Sequence, residues 1–424
     1  MPGNGWPEKV SAENRQFSGL TPGTAYLVLH SETLTDAVLE HVAALKHLQT
    51  LDVEGQYSVD ALTALAELKE LKKLTIRSVS PRNLNTTEYG RYDANLQRSW
   101  KQPVKFPLSV TSLRLIDLAV TDDDLAGLSS VTGLGGLRLE GSLIHGPGLA
   151  HLKGLPVSSL FLVRCRLRDD ALDHLKGLPI FSLGLIQCGL HDDDLAHLPA
   201  FPLLSEQYSV LSLGHNHFTD AAIEKLPDNV WNIQLGNNPI TGGTAADWQR
   251  FKNLVGLNLE STLVDDTIYS RVAGIPNLTY LDLRRTRVTG KGIKVLTGTK
   301  VDGLILDYCP VTPDGLTEIC QLQQLTGLDL NGIRLTTEQL QMIGSSLPKL
   351  TYLSIVGCGL TDDEIAALRG DSLSHVRSLN TKFEAMQPIK VGYVTPPAGG
   401  KLGNFPGLLE SENARKAQKG DDDQ

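Results

Sequence analysis

The sequence predicts an α/β solenoid: a curved horseshoe of about fourteen repeats, with a parallel β-sheet lining its concave face and helices on its convex face. Three observations carry this. Short alternating pairs such as Leu113-Arg-Leu115, Leu137-Arg-Leu139, Leu160-Phe-Leu162 and Leu183-Gly-Leu185 return at a step of about 23 residues. An apolar residue follows five positions after twelve of the pairs, as at Val120, Ile144, Leu167 and Leu190. Leucines three apart then suggest a helix laid on the core, as in Leu125/Leu128, Leu149/Leu152, Leu172/Leu175 and Leu195/Leu198.

In chain order, residues 1–22 read as an irregular, proline-containing lead-in that caps the array. The solenoid runs over 23–383. Its strand pairs are Leu27/Leu29, Leu51/Val53, Leu74/Ile76, Leu113/Leu115, Leu137/Leu139, Leu160/Leu162 and Leu183/Leu185, then Leu211/Leu213, Ile233/Leu235, Leu257/Leu259, Leu281/Leu283, Leu304/Leu306, Leu328/Leu330 and Leu353/Ile355. Spacing of two puts both members of a pair on one face of a strand, pointing into the core. Helix-start chemistry comes next: Thr121-Asp122, Thr219-Asp220, Thr312-Pro313, and Thr361 with Glu364 at capping-box spacing. One unit alone buries too little to offset the entropy of ordering it, so stability belongs to the stack.

Two steps are long. Leu74 to Leu113 leaves an insert at 78–107, and Leu183 to Leu211 is also stretched. The insert carries Tyr89, Tyr92 and Trp100 among basic residues, and reads either as a loop whose aromatics plug the solenoid edge or as a recognition loop. After Phe383 the pattern stops, and 384–424, with its prolines, glycines and polar end, is expected to be a flexible tail.

A net charge of −9 over 424 residues argues against a nucleic-acid backbone as the main partner. The chain opens without a basic start and apolar core, and no run of about 18 apolar residues occurs, so neither a signal peptide nor a membrane span is expected and the reading is cytoplasmic.

Residue clusters that resemble chemistry have simpler roles. Cys165, Cys188, Cys309 and Cys358 sit three residues past the second strand position, where other repeats have Asn216 and Asn238. A small polar side chain there can hydrogen-bond the bending backbone of its own and an adjacent repeat. Cys320 falls at an apolar helix position. His41, His151, His174 and His197 recur as a repeat position rather than as ligands of a shared metal, because neighbouring helices stand too far apart for their rings to converge. Asp122-Asp123-Asp124 and Asp192-Asp193-Asp194 open helices, where carboxylates meet free amide donors. No nucleophile elbow or phosphate loop occurs, so no catalytic residue, metal or cofactor is expected.

The Cys165-x-Leu167, Cys188-x-Leu190 and Cys358-x-Leu360-Thr-Asp motifs resemble cysteine-containing leucine-rich repeats, and the Thr-Asp-x-x-Leu/Ile units resemble bacterial-type leucine-rich repeat proteins. The resemblance implies a curved solenoid that binds other proteins, and it supplies no catalytic residue. The main expectation is a non-enzymatic scaffold gripping a protein partner on the concave strands. Its candidate residues are Arg114, Ile116, Arg138, Glu140, Phe161, Val163 and Ile186 in the middle, then Tyr280, Asp282, Arg284, Asp307, Asp329 and Tyr352. Small neighbours such as Gly184 and Gly303 offer the opposing reading, in which these side chains lie flat. The alternatives are an envelope or cell-surface adhesin, and an enzyme with its chemistry in the insert or tail.

Overall fold

The computed structural model describes residues 23–30, 36–55, 59–78, 104–118, 120–168, 170–198, 201, 209–243 and 247–381. The lead-in, most of the insert with Tyr89, Tyr92 and Trp100, and the tail lie outside these residues. At the end of the insert, Val104 and Phe106 are buried in the core.

Among the described residues, fifteen strands form one parallel sheet in unbroken sequence order. They are β1 (Tyr26–His30), β2 (Thr50–Gly55), β3 (Lys73–Ser78), β4 (Ser112–Ile116), β5 (Gly136–Glu140), β6 (Ser159–Val163), β7 (Ser182–Ile186) and β8 (Val210–Ser212). The rest are β9 (Asn232–Gln234), β10 (Gly256–Asn258), β11 (Tyr280–Asp282), β12 (Gly303–Ile305), β13 (Gly327–Asp329), β14 (Tyr352–Ser354) and β15 (Ser378–Asn380). The paired strand residues meet in register, Leu113 with Leu137, Leu137 with Leu160 and Leu160 with Leu183, and all are buried. Fourteen of the strands coincide with the predicted pairs. The fifteenth escapes the pattern because Leu379 is followed two residues later by Thr381, and a terminal strand has a neighbour on one side only.

The convex segments differ from expectation in kind. Asp123–Ser130, Pro147–Leu152, Ala171–Leu175 and Asp192–His197 are 3-10 helices. In a 3-10 turn residues three apart eclipse one another, which sets Leu125 above Leu128 and Leu149 above Leu152 on the core side. α-Helices occur on either side of this stretch, as Asp36–Val42 in the first repeat and as Pro313–Ile319, Thr337–Ser346 and Asp362–Arg369 in the later ones. Thr312 caps the first of these later helices with proline in the first turn, and Thr336/Gln339 and Thr361/Glu364 form capping boxes on the other two.

Side chains at the convex turns tie one repeat to the next. Asp122 accepts the backbone N–H groups of His145, Gly146 and Gly148 at 2.9, 3.1 and 2.8 Å. Asp220 does the same for Thr241 and Gly242, and Asp192 for Thr219. These aspartates therefore serve the following convex turn, and Asp122, the N-cap of Asp123–Ser130, makes no side-chain bond to its own helix. A second buried row follows the strands: Cys165, Cys188, Asn216, Asn238, Thr262, Thr286, Cys309 and Cys358. Cys188 Sγ donates to the Leu162 carbonyl at 3.3 Å, and Asn216 Nδ2 donates to the Leu185 carbonyl at 2.7 Å, so these contacts run to the preceding repeat. All five cysteines are free and buried.

Candidate functional site

The strand residues that point away from the core build the concave face. On β4 to β7, Arg114 stands opposite Arg138, Arg138 opposite Phe161, and Phe161 opposite Gly184. Arg138 forks onto Glu140 at 2.9 and 2.7 Å, with its guanidinium carbon 6.0 Å from the Phe161 ring centroid. Arg164 joins the same acid at 2.8 Å and reaches Asp117 at 2.6 Å. Phe161 lies down over Gly184, where a Cβ would come within 2.2 Å of its ring. Ile116, Phe161 and Ile186 keep partial exposure, whereas Val163 is 7% exposed and belongs to the wall behind the surface.

A second cluster occupies β10 to β14. Asp282 is fully buried and takes three hydrogen bonds from Arg284, 3.1 Å from the backbone N–H, 2.9 Å from Nε and 2.5 Å from Nη2, and one from Asn258 at 3.0 Å. Burial disfavours the Arg284 charge, yet its bonds to Asp282 more than offset this and hold the guanidinium protonated. Glu260 lies 3.9 Å from Arg284 and 3.5 Å from Arg285. Asp307, also buried, accepts the Asn331 N–H at 2.8 Å. Burial pushes the Asp329 carboxyl up to about 7, reinforced by the charge of Asp307. Tyr280 and Tyr352 stand at the two ends of a row whose middle members are Gly303 and Gly327. Asp282 and Arg284 thus form a bonded buried pair, Asp307 is held by the Asn331 amide, and the exposed groups beside them include Tyr352, Tyr308 and Arg285.

Between these clusters the sheet is hollowed into a depression of about 270 Å³ over β8 to β11. Gly214, Gly236 and Gly256 floor it, and Ser212, Gln234 and Asn258 supply hydroxyl and carboxamide groups. Ile186 closes one end and Tyr280 with Arg284 the other. Of the residues expected from sequence, Ile186, Tyr280, Asp282 and Arg284 line it; Ser212, Gln234, Asn258 and Glu260 went unrecognised. The recoverable signal was the run of glycines directly after the strands, at Gly214 and Gly236. Among the described residues no group of His, Cys, Asp and Glu side chains converges as a metal site, and no helix is long and apolar enough to cross a membrane.

The rim of this face has an unusual backbone. Asp117, Arg164, Gln187, His215, Asn237, Ser261, Arg285 and Tyr308, each two residues past the second strand position, all have φ between 53° and 59°. Their N–H groups prolong the sheet ladder into the next repeat, as from Asn237 to the Glu260 carbonyl at 2.7 Å and from Tyr308 to the Asn331 carbonyl at 2.8 Å. The conformation also splays charged and aromatic side chains outward, and Arg285 stacks 5.2 Å from the Tyr308 ring centroid.

A family model described as Leucine Rich repeat matches residues 274–296, a unit that contains strand β11 and ends with the 3-10 helix that follows it. The chain is a leucine-rich repeat solenoid. No curated protein matches its sequence. Among solved structures the leucine-rich repeat solenoid is similar to an internalin from Listeria monocytogenes, at 17% identity over 78% of this chain and 86% of that one, TM-score 0.40. It is similar to a leucine-rich repeat protein of Leptospira interrogans, at 19% identity over 85% and 96% of the two chains, TM-score 0.44. A third likeness is to the complex of Rad7 and Elc1 in yeast, at 18% identity over 78% and 81%, TM-score 0.47.

Proposed function

We propose that this chain is a non-enzymatic scaffold that binds a protein partner on its concave sheet, with the depression over β8 to β11 as the principal seat. The observation that supports it is the glycine-floored hollow of about 270 Å³, walled by carboxamides along its length and by Tyr280, Glu260 and the Asp282–Arg284 pair towards one end. Glycine removes side-chain bulk where a partner's backbone or side chain enters, and carboxamides donate and accept without fixing the sign of the ligand's charge. Aromatic and apolar patches at Tyr280, Ile186 and Phe161 then contribute contact area beside it.

Photo-cross-linking tests this reading. A benzophenone side chain at Gln234 is expected to capture one protein repeatedly from the lysate of the source cells, and the same probe at Glu338 on the convex side is expected to capture none. Phe161→Asp should remove the capture while the melting temperature holds. Equal capture from both faces, or capture that survives filling the hollow with Gln234→Trp, defeats the concave assignment.

A further inference from the structure

Four arginines lie on the first third of the concave face, and three have acidic partners. Arg77 is bidentate to Asp52 at 3.2 and 3.0 Å, with Glu54 beside it. Arg138 and Arg164 share Glu140, and Arg164 also holds Asp117. Arg114 stands between them, opposite Thr75 on β3 and Arg138 on β5, and among the described residues it has no hydrogen bond and no ion pair.

Nothing in the fold asks for this. The outward position of β4 accepts a small or neutral residue, as Gly184 and Ser212 show on β7 and β8. A half-buried guanidinium beside two others is disfavoured by desolvation first and then by the like charges of Arg138 and Arg77, which outweigh the attraction of the Asp52 carboxylate already bonded to Arg77 and weaken its hold on the proton. Five N–H donors in a planar fork remain unused. Ile116 lies next along the same strand, and Phe161 two strands away, so the free fork is set among apolar surface where water competes poorly for it.

We propose that Arg114 is the seat for a side-chain carboxylate of an acidic peptide segment in the partner that the concave face binds. The assignment rests on the protein-binding reading above and adds to it the sign and geometry of one contact, at a place several strands away from the central hollow. The incoming carboxylate takes two parallel N–H bonds from the Arg114 fork and screens it from Arg77 and Arg138, so binding relieves a repulsion present in the free chain.

The full chain is titrated at low salt with fluorescein-labelled hexaglutamate, with labelled hexalysine for sign and a labelled single-stranded oligonucleotide for the other anionic class. Hexaglutamate is expected to bind and hexalysine is not. Arg114→Gln should weaken hexaglutamate by about tenfold, the value of one charge-assisted fork, and Arg114→Lys by less. Arg287→Gln, whose exposed side chain lies outside this cluster, should leave binding unchanged. The melting temperature of Arg114→Gln should equal or exceed that of the parent, because a structural arginine loses stability on removal and a ligand-seeking one does not. Absence of hexaglutamate binding, equal binding by Arg114→Gln, a lowered melting temperature in that variant, or an oligonucleotide that binds more tightly through Arg114 overturns the proposal. Capture from Gln234 in the parent chain, while that same chain fails to bind hexaglutamate, would defeat this contact alone. Absence of capture in the parent would defeat the protein-binding reading itself.

Discussion

The Asp266 carboxylate accepts the backbone N–H of Thr289 in the following repeat at 2.7 Å, and the Thr289 hydroxyl at 2.5 Å. Gly290 donates to the same carboxylate at 3.1 Å. A single side chain thus closes the start of one convex turn while standing on its neighbour, an arrangement repeated at Asp122, Asp192 and Asp220.

Asp266→Ala should therefore cost about 1 to 3 kcal/mol, more than a cap confined to its own helix, since charge-assisted bonds to two amides and a hydroxyl are lost together. Asp266→Asn keeps an acceptor and should cost less. Urea denaturation read by far-ultraviolet dichroism distinguishes them, and equal midpoints for all three proteins would show that the bracket is without energetic weight.

The buried row behind the sheet makes a stronger demand. Asn216 donates to the Leu185 and Leu213 carbonyls and accepts from the Cys188 and Leu190 amides at 2.9 and 3.2 Å. Asn216→Ala strands those buried groups and is expected to destabilise by about 2 to 4 kcal/mol. Asn216→Cys restores one donor in the manner of Cys188 and should recover part of the loss. Calorimetric midpoints measured side by side check the order parent, cysteine, alanine.

Gln187 has φ of 55°, and its amide donates to the Gly214 carbonyl at 3.0 Å. The left-handed region costs a side-chain-bearing residue about 1 kcal/mol. Gln187→Gly keeps the amide and removes the strain, so stability should rise by up to about 1 kcal/mol. The reverse holds at Gly332, where φ is 72° and an added Cβ would meet the Tyr308 ring at 2.4 Å. Gly332→Ala should lower the melting temperature.

Asp329 predicts a pH dependence of definite sign. Its carboxyl is raised to about 7, by burial first and then by Asp307, against about 3.9 in an unfolded chain. The folded state therefore holds more protons than the unfolded one between these values, and stability attributable to this group falls as pH rises through that window. Asp329→Asn should leave stability little changed near pH 4 and raise it near pH 8. A difference of the opposite sign, or one independent of pH, would contradict the placement of this carboxyl beside Asp307.

Leu185 is fully buried, so Leu185→Ala should destabilise by about 2 to 5 kcal/mol through loss of packing and the cavity left behind. Ile186, the next residue, faces the hollow with partial exposure, and Ile186→Ala should cost much less. Denaturant midpoints that fail to separate these neighbours would mean that the inward and outward faces of β7 are not distinguished by burial.

The strand pairs and the caps were legible because each is a local pattern: Leu113 and Leu115 announce a strand, and Thr361 with Glu364 a helix start. Whether an outward residue becomes surface was not legible, since Val163 is covered while Ile116 in the same register row is not, and cover depends on side chains from other repeats. The hollow escaped for the same reason: Ser212, Gln234 and Asn258 are unremarkable singly and converge only when three strands are stacked. The left-handed rim was hidden because Arg164 and Tyr308 occupy a conformation that sequence reading assigns to glycine.

In the sheet, every interior strand hydrogen-bonds only with its predecessor and its successor along the chain. An extra unit copied in frame between β10 and β11 would push the two halves apart without asking any distant side chain to find a new neighbour. Lengthening by tandem duplication is thus open to this molecule, and each added copy would move the Arg114 fork farther from the Asp329 carboxyl, resetting the size of partner that can touch both.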